Sequence, residues 1–134
     1  MPGEEKFLLT AGGSLANMTP DNIALFDLEG NLLEGTVQPV GAEIIQMHGI
    51  VYRKRPEFKS VVHTHSPLAT AFACAGVSIP VAYEPMARGG MFDGVPVAGY
   101  GPRGSDQSVR NIEAVLLSHN AIKGLLLENH GTLT

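Results

Sequence analysis

Three of the five histidines in this chain follow short apolar runs and could bind a metal ion together. His63 and His65 come directly after Val61-Val62, and His130 comes shortly after Leu125-Leu126-Leu127. Residues two apart on a strand point to the same face, so His63 and His65 can present two imidazoles to one ion. Catalytic zinc sites commonly use three protein ligands and leave a fourth position open. The pattern favours a metal site, although two histidines at this spacing also occur as ordinary strand residues.

The elements around these histidines should place them at one edge of a sheet. Ser66-Pro67 predicts a helix directly after His65, because serine can cap the helix and proline suits its first position. Gly76 predicts the end of that helix. The last strand is predicted from Lys123 to Glu128, so that Asn129-His130-Gly131 also ends a strand. Three imidazoles could then converge.

The first third of the chain predicts mainly antiparallel strands. Phe7-Leu8-Leu9 favours a strand, and residues 23–26 and 31–33 flank an acidic, glycine-containing turn that is typical of a hairpin. An amphipathic helix is predicted from Ala42 to Arg53, with His48 in the core and Pro56 as the stop. Glu43 would lie in its first turn, where the helix dipole favours a carboxylate regardless of any catalytic role.

The second half predicts two strands and a helix besides the elements already given. Residues 79–83 are strand-like, and residues 95–98 predict a strand in which Pro96 indicates an edge or a bulge. Gly104-Ser105-Asp106 predicts the cap of a helix that runs to about Ser118. The chain is therefore expected to alternate between helices and strands.

Composition predicts one globular domain covering residues 1–134. The chain is 44% hydrophobic and 16% charged, with a net charge of -4, which argues against nucleic acid as a main partner. The short run Arg53-Lys54-Arg55 is predicted to be solvated helix surface. No apolar stretch approaches the roughly 18 residues of a membrane span, and the first residues resemble no signal peptide, so we expect a cytoplasmic protein without membrane contact. Cys74, the single cysteine, is expected to be a small buried side chain.

The chain resembles the class II aldolase/adducin domain family over nearly its whole length. The segments recur in the family's order and at closely similar spacing. They are Met18-Thr19-Pro20-Asp21, Asp27-Leu28-Glu29-Gly30-Asn31, Tyr52-Arg53-Lys54-Arg55-Pro56-Glu57, Val61 to Ala71, Ile79-Pro80 followed by Tyr83, and Leu126-Leu127-Glu128-Asn129-His130-Gly131.

This resemblance implies both a fold and a site. The fold would be an α/β (α+β) three-layer sandwich, with a predominantly antiparallel central sheet and helices on its faces, assembled as a homotetramer. Zinc, or another divalent first-row metal, would be bound by His63, His65 and His130. Glu43 matches the family's proton carrier. Tyr83 matches a tyrosine that reaches a neighbouring subunit's site and handles the hydroxyl proton of the departing aldehyde.

The implied reaction is aldol cleavage of a small hydroxylated carbonyl or sugar-like substrate. A metal chelated by the substrate's carbonyl and hydroxyl oxygens would act as a Lewis acid and stabilise the enediolate that forms when the carbon–carbon bond breaks. Glu43 would then carry the proton to or from that carbon.

The chain also departs from the family pattern. Residues 40–42 (Val-Gly-Ala) stand where the aldolase has a pair of phosphate-holding serines, and Glu43 lies five residues before His48, one more than in the family. The Gly12-Gly13 turn resembles a second phosphate-contacting turn, whose amides could bind an anion, although a simple strand connection is the alternative. The helices that normally flank this core are missing, so we expect a domain truncated relative to the family.

Other functions are kept as alternatives to the lyase. The same three histidines serve decarboxylases and dehydratases in the family, and fold does not fix the reaction. A non-catalytic, adducin-like assembly module would keep the fold without the chemistry. An unrelated metal hydrolase is the least favoured.

Overall fold

The fold is described by a computed structural model in which residues 4–12 and 15–134 are placed. Its first sheet is antiparallel, in the order β1-β2-β3. These strands are β1 (Lys6–Thr10), β2 (Ile23–Asp27) and β3 (Leu32–Glu34). Apolar residues alternate along β1 and β2, which buries Phe7, Leu9, Ala24 and Phe26 on one face. The predicted hairpin is confirmed.

The second sheet carries the histidines and has the order β4-β7-β6-β5. It contains β4 (His63–Thr64), β5 (Val97–Ala98), β6 (Leu125–Leu127) and β7 (Gly131–Leu133). β5 and β6 pair in parallel, whereas β4, β7 and β6 pair antiparallel. Pro96 stands just before β5, an edge strand, where a missing amide hydrogen does not break a ladder in the sheet interior.

Helices connect and cover these strands. They are α1 (Pro39–Ala42), α2 (Ile45–Lys54), α3 (Pro67–Cys74), α4 (Glu84–Arg88) and α5 (Asp106–Ser118), with short 3-10 turns at Leu15–Asn17 and Pro20–Asn22. Ser105 caps α5 as predicted, because its Oγ accepts a hydrogen bond from the amide of Ser108. Ser66 stands at the predicted start of α3, but its side chain makes no capping bond.

The core consists of two apolar clusters that meet at α2. One packs α2 and α5 against the second sheet and includes Leu125 and Ile112, which are almost fully buried. The other packs the first sheet against the start of α2, with the rings of Phe7 and Phe26 stacked at 5.6 Å between centroids. Ile44 borders both clusters. The α/β fold class is therefore confirmed, with the hydrogen-bonded strands divided between two sheets.

Several local predictions are wrong. The chain forms another strand, β7, after His130, so the segment predicted as the last strand is the first arm of a hairpin. Residues 79–83 form no strand beyond a single bridge between Ile79 and Val95, because only Ile79 pairs with another extended segment. Glu43 lies in a turn between α1 and α2 rather than in the first turn of one long helix.

The basic run and the cysteine also differ from their predictions. Arg53 is part-buried and donates to the carbonyl of Leu28, Lys54 pairs with Glu113, and Arg55 bonds to Glu57. These side chains tie α2 to its neighbours instead of only facing water. Cys74 is exposed, because it lies on the face of α3 that is not packed against the second sheet.

No helix in the described part of the chain combines the length and the apolar character required to cross a membrane.

Candidate active site

Strand pairing brings the three histidines together. In the antiparallel pair of β4 and β7, His63 stands opposite Leu133 and Thr64 stands opposite Thr132. The same register, extended by one residue, sets His65 opposite Gly131 and next to His130. The hydroxyls of Thr64 and Thr132 lie 2.8 Å apart and add a side-chain bond to this pair. Long-range pairing therefore positions what the sequence separates by more than 60 residues.

The three imidazole rings form a compact triangle. Ring centroids are 4.7 Å apart for His63 and His65, 4.7 Å for His63 and His130, and 5.1 Å for His65 and His130. Each ring can turn one nitrogen to the others so that the three potential ligand atoms all lie within 4.8 Å of one another. Such a group can hold a divalent metal ion.

The tautomer of His63 is fixed by its backbone neighbour. Its Nδ1 lies 2.9 Å from the carbonyl oxygen of Thr132, which can only accept, so Nδ1 carries the proton. The Nε2 lone pair is then left for a ligand. Hydrogen bonding of the second ring nitrogen to a carbonyl is the usual way in which proteins orient a metal-binding histidine.

His130 lies in the turn between β6 and β7. Asn129, with a φ of 57°, adopts the left-handed conformation there, which asparagine tolerates better than most residues. The His130 amide donates to Leu127, which closes the turn. Its Nε2 is buried and has no hydrogen-bond partner among the described residues. A buried imidazole nitrogen without a hydrogen-bond partner is available to bind a metal ion.

Burial favours the neutral form of His63 and His130. The pKa of His130 is lowered to about 4, first by desolvation and then by the charges of His63, His65 and Arg103. The pKa of His63 is also lowered, again mainly by desolvation, against the raising effect of its bond to Thr132. Neutral imidazole is the form that binds metals, so both residues are ready for coordination near pH 7.

Gly131 leaves room for the triangle. A Cβ atom at this position would lie 2.5 Å from the carbonyl oxygen of Thr64 and 2.7 Å from Cδ2 of His65. Both distances are shorter than real Cβ contacts, and one of the atoms belongs to the backbone. A glycine is therefore required directly after His130, at the first position of β7.

Glu43 and His130 line the same cleft, which is partly open to solvent. The Glu43 carboxylate is 46% exposed, and its Oε2 lies 3.0 Å from Nη2 of Arg103. Glu128 also lines this cleft, where its Oε2 accepts a hydrogen bond from the amide of Tyr100. The cleft thus combines an imidazole, two carboxylates and a guanidinium.

Other predicted site residues lie elsewhere. Tyr83 is 63% exposed at the start of α4 and is not among the residues that line the cleft. It is therefore no packed strand aromatic. Gly12, with a φ of 135°, lies against the side chain of Gln38, also outside the cleft lining. Gly13 lies outside the described residues.

Two features of the site were missed in the sequence. Arg103 belongs to a loop 60 positions after Glu43, so its pairing has no local signature. The Thr132 carbonyl is a backbone group that any residue type supplies. Gly131 was the one feature of this part of the site that the sequence offered, because the Asn129-His130-Gly131 motif already contained it.

A mixed α/β protein with three convergent histidines beside a carboxylate is the class that the fold and site define. The sequence pattern of the class II aldolase and adducin N-terminal domain matches residues 2–134. The chain belongs to this family, and the resemblance noted in the sequence is confirmed.

Individual relatives support the same family. The chain is 32% identical to the 5-deoxy-D-ribulose 1-phosphate aldolase of Bacillus thuringiensis serovar kurstaki, a match that covers 85% of this chain and 50% of the relative. It is 33% identical to the 3-oxo-tetronate 4-phosphate decarboxylase of Haemophilus influenzae, over 97% of this chain and 61% of the relative. The chain thus spans about half to three fifths of the length of these curated relatives.

A solved structure of L-fuculose 1-phosphate aldolase superposes on the chain with a TM-score of 0.81 at 27% identity. The superposition covers 97% of this chain and 58% of that one. The shared part therefore includes both sheets and the histidine-bearing hairpin.

Proposed function

We propose that this chain is a metal-dependent, aldolase-type lyase that cleaves a carbon–carbon bond of a small hydroxylated carbonyl or sugar-like compound. The observation that carries this proposal is the convergence of His63, His65 and His130 within 4.8 Å, next to a cleft that contains Glu43. Imidazoles grouped in this way serve a metal, and a carboxylate beside them serves proton transfer.

The residues present fit a divalent cation, for which zinc is our first expectation. Three imidazoles, two of them with lowered pKa values, and the buried partnerless Nε2 of His130 form a neutral donor set. Such donors suit zinc and its first-row neighbours better than calcium or magnesium. When bound, the ion would supply Lewis acidity that polarises a substrate carbonyl.

Glu43 is the proposed proton carrier. Its carboxylate is half-exposed in the cleft, so a small molecule can reach it, and in the free protein it is paired with Arg103. In the cleavage direction it would deliver a proton to the carbon left negative by bond breaking, and in the synthetic direction it would remove that proton. A positioned acid or base of this kind contributes about a hundredfold to ten-thousandfold in rate.

Tyr83 is proposed to act on a neighbouring subunit of a homotetramer, at the hydroxyl proton of the departing aldehyde. Its side chain is 63% exposed and stands near exposed Val81. An exposed tyrosine is available for such a contact between copies of the chain. The Gly12-Gly13 turn is proposed to bind the substrate through its backbone amides. A cytoplasmic location of the protein remains our expectation.

A decarboxylase on the same site is the second candidate. The relative named 3-oxo-tetronate 4-phosphate decarboxylase supports it as the aldolase relatives support cleavage. Both reactions leave negative charge on a carbon next to a polarised carbonyl, so the same residues can serve either. An adducin-like assembly module is less favoured, because it does not explain a carboxylate in the cleft that His130 lines. A dehydratase is a further alternative on the same site.

A substrate screen combined with two variants tests this proposal. The chain, loaded with zinc, is offered phosphorylated and unphosphorylated ketoses and 3-oxo acids, and product aldehyde and carbon dioxide are measured. Glu43→Gln should keep its metal and lose about a hundredfold or more in turnover, whereas His63→Ala should lose both. Unchanged turnover in Glu43→Gln would remove Glu43 from the mechanism, and aldehyde release without carbon dioxide would decide against the decarboxylase.

A further inference from the structure

Arg103 is the one cationic side chain among the described residues that line the cleft. Its guanidinium is 47% exposed and faces the same space as Glu43, Glu128 and His130. Its charge also reaches the histidine triangle, since it contributes to the lowered pKa values of His63 and His130. The aldolase-type proposal gives this arginine no role.

A tight loop holds Arg103 against Glu43. Gly104, with a φ of 71°, adopts a conformation that side chains rarely take, and a Cβ there would lie 3.4 Å from Cα of Glu43. The loop backbone therefore lies close to the turn that carries Glu43. Ser105 then caps α5 and anchors the end of the loop that follows Arg103. Arg103 is thus presented to the cleft from an anchored loop.

Most of the hydrogen-bonding capacity of Arg103 is unused. A guanidinium has five N–H donors in a planar fork that matches carboxylate and phosphate groups. The single polar contact of Arg103 within the described residues is the ion pair of its Nη2 with Glu43 Oε2, at 3.0 Å. The pair is about half-exposed on both sides, so an incoming anion can compete with Glu43 at small cost.

We propose that Arg103 is a specificity-determining residue that binds an anionic oxygen group of the ligand, a phosphate or a carboxylate, in exchange for the Glu43 carboxylate. In the free protein the Glu43 carboxylate occupies the guanidinium. Binding of the anion displaces that carboxylate and frees it to face the reacting carbon. The inference rests on the proposed function for the identity of Glu43 as proton carrier, but the exchange itself concerns binding alone.

The exchange predicts opposite effects of two substitutions on anion binding. Inorganic phosphate is titrated calorimetrically into the zinc-loaded chain of residues 1–134, with acetate as the carboxylate probe in a parallel series. Arg103→Gln should weaken phosphate binding about tenfold or more, because it removes charge-assisted donors. Glu43→Gln should tighten binding about threefold, because it removes the competing carboxylate and a like charge. Arg103→Lys should retain part of the affinity.

Arg88 provides the matched control. It is an exposed arginine that forms an ion pair with Glu84 on α4, outside the cleft lining. Arg88→Gln should leave phosphate binding unchanged. Thermal unfolding of every variant shows whether the fold is retained, and Arg103→Lys remains informative where Arg103→Gln is unstable.

Several results would overturn the proposal. Phosphate affinity that Arg103→Gln leaves unchanged would mean that the anion binds elsewhere, for example at the metal alone. Weaker binding in Glu43→Gln would show that the carboxylate helps to hold the anion instead of competing with it. Absence of measurable binding of both probes in the wild type and in Glu43→Gln would also be decisive. None of these readouts needs turnover, so failure here is distinguishable from failure of the lyase proposal.

Discussion

The Nδ1 atom of His63 donates a hydrogen bond to the backbone carbonyl of Thr132, 2.9 Å away on the strand that follows His130. This bond links two of the three convergent histidines through one hairpin. The orientation of His63 and the position of His130 therefore depend on the same pairing of β4 with β7. A disturbance of that pairing should reach the proposed metal site even when no histidine is replaced.

Substitution of Gly131 by alanine tests this dependence. The added Cβ would collide with the Thr64 carbonyl and with the ring of His65, so β4 and β7 must separate or the ring must move. We expect a loss of about 1–3 kcal/mol in the free energy of unfolding, together with weaker zinc binding. Urea unfolding and a zinc titration with a competing chelator measure the two effects.

Gly99→Ala is the matched control for that substitution. A Cβ at Gly99 would meet its nearest neighbour at 3.7 Å, which is ordinary van der Waals contact. Stability and zinc affinity should therefore stay close to those of the wild type. Equal zinc affinity in Gly131→Ala and Gly99→Ala would show that the hairpin does not position the ligands.

His48 should make the fold sensitive to acid. It is 6% exposed, and its pKa is lowered from 6.5 to about 4, chiefly by burial and further by the charge of His63. The unfolded chain then binds the proton more readily, so the stability associated with neutral His48 is complete above about pH 6.5 and is lost as the pH falls towards 4.

The variant His48→Leu measures this contribution. Between about pH 7 and pH 4.5, the metal-free wild type should lose about 2 kcal/mol more of its unfolding free energy than the variant. Urea unfolding midpoints at the two pH values give the comparison. Equal losses of unfolding free energy in both proteins would mean that protonation of His48 does not destabilise the folded state.

Arg53 should stabilise the junction between α2 and the first sheet. Its guanidinium donates to the Leu28 carbonyl and to Gln46, and the side chain is part-buried. Arg53→Ala should cost about 1.5–3 kcal/mol, since it removes charged hydrogen bonds and leaves a carbonyl without its donor. Arg88→Ala, which breaks an exposed ion pair, should cost about 0–1 kcal/mol. Thermal unfolding of the two variants gives the comparison. Equal losses of stability in both would contradict the proposed role of Arg53.

Local sequence signals predicted much of the fold because local physics determines those parts. Ser66-Pro67 and Ser105-Asp106 are helix starts whose chemistry lies within four residues. The alternation in β1 and β2 reflects a face that is buried over its whole length. Short elements were harder: β7 contains only Gly131, Thr132 and Leu133, too few residues for an alternation to be recognised.

The candidate site also has parts that local sequence predicts and parts that depend on distant residues. His63 and His65 share a face through local geometry, but only the long-range register of β4 with β7 brings His130 to them. Arg103 reaches Glu43 through the packing of two loops that are far apart in the chain, which no spacing rule reveals. The predicted strand ends allowed the three imidazoles to converge, and the family resemblance implied that His130 binds the metal with the other two.

Zinc content per chain is the most direct test of the central claim that His63, His65 and His130 bind one metal ion. The wild type is loaded with zinc, dialysed exhaustively and analysed for bound metal alongside His63→Ala, His130→Ala and His119→Ala. His119 serves as the control histidine. It directly follows α5, and its Nδ1 lies 3.2 Å from the carbonyl oxygen of Val115. We predict about one zinc per chain in the wild type and in His119→Ala, and less than about a tenth of that in the other two. Full zinc retention in His130→Ala, or none in the wild type, would contradict the account.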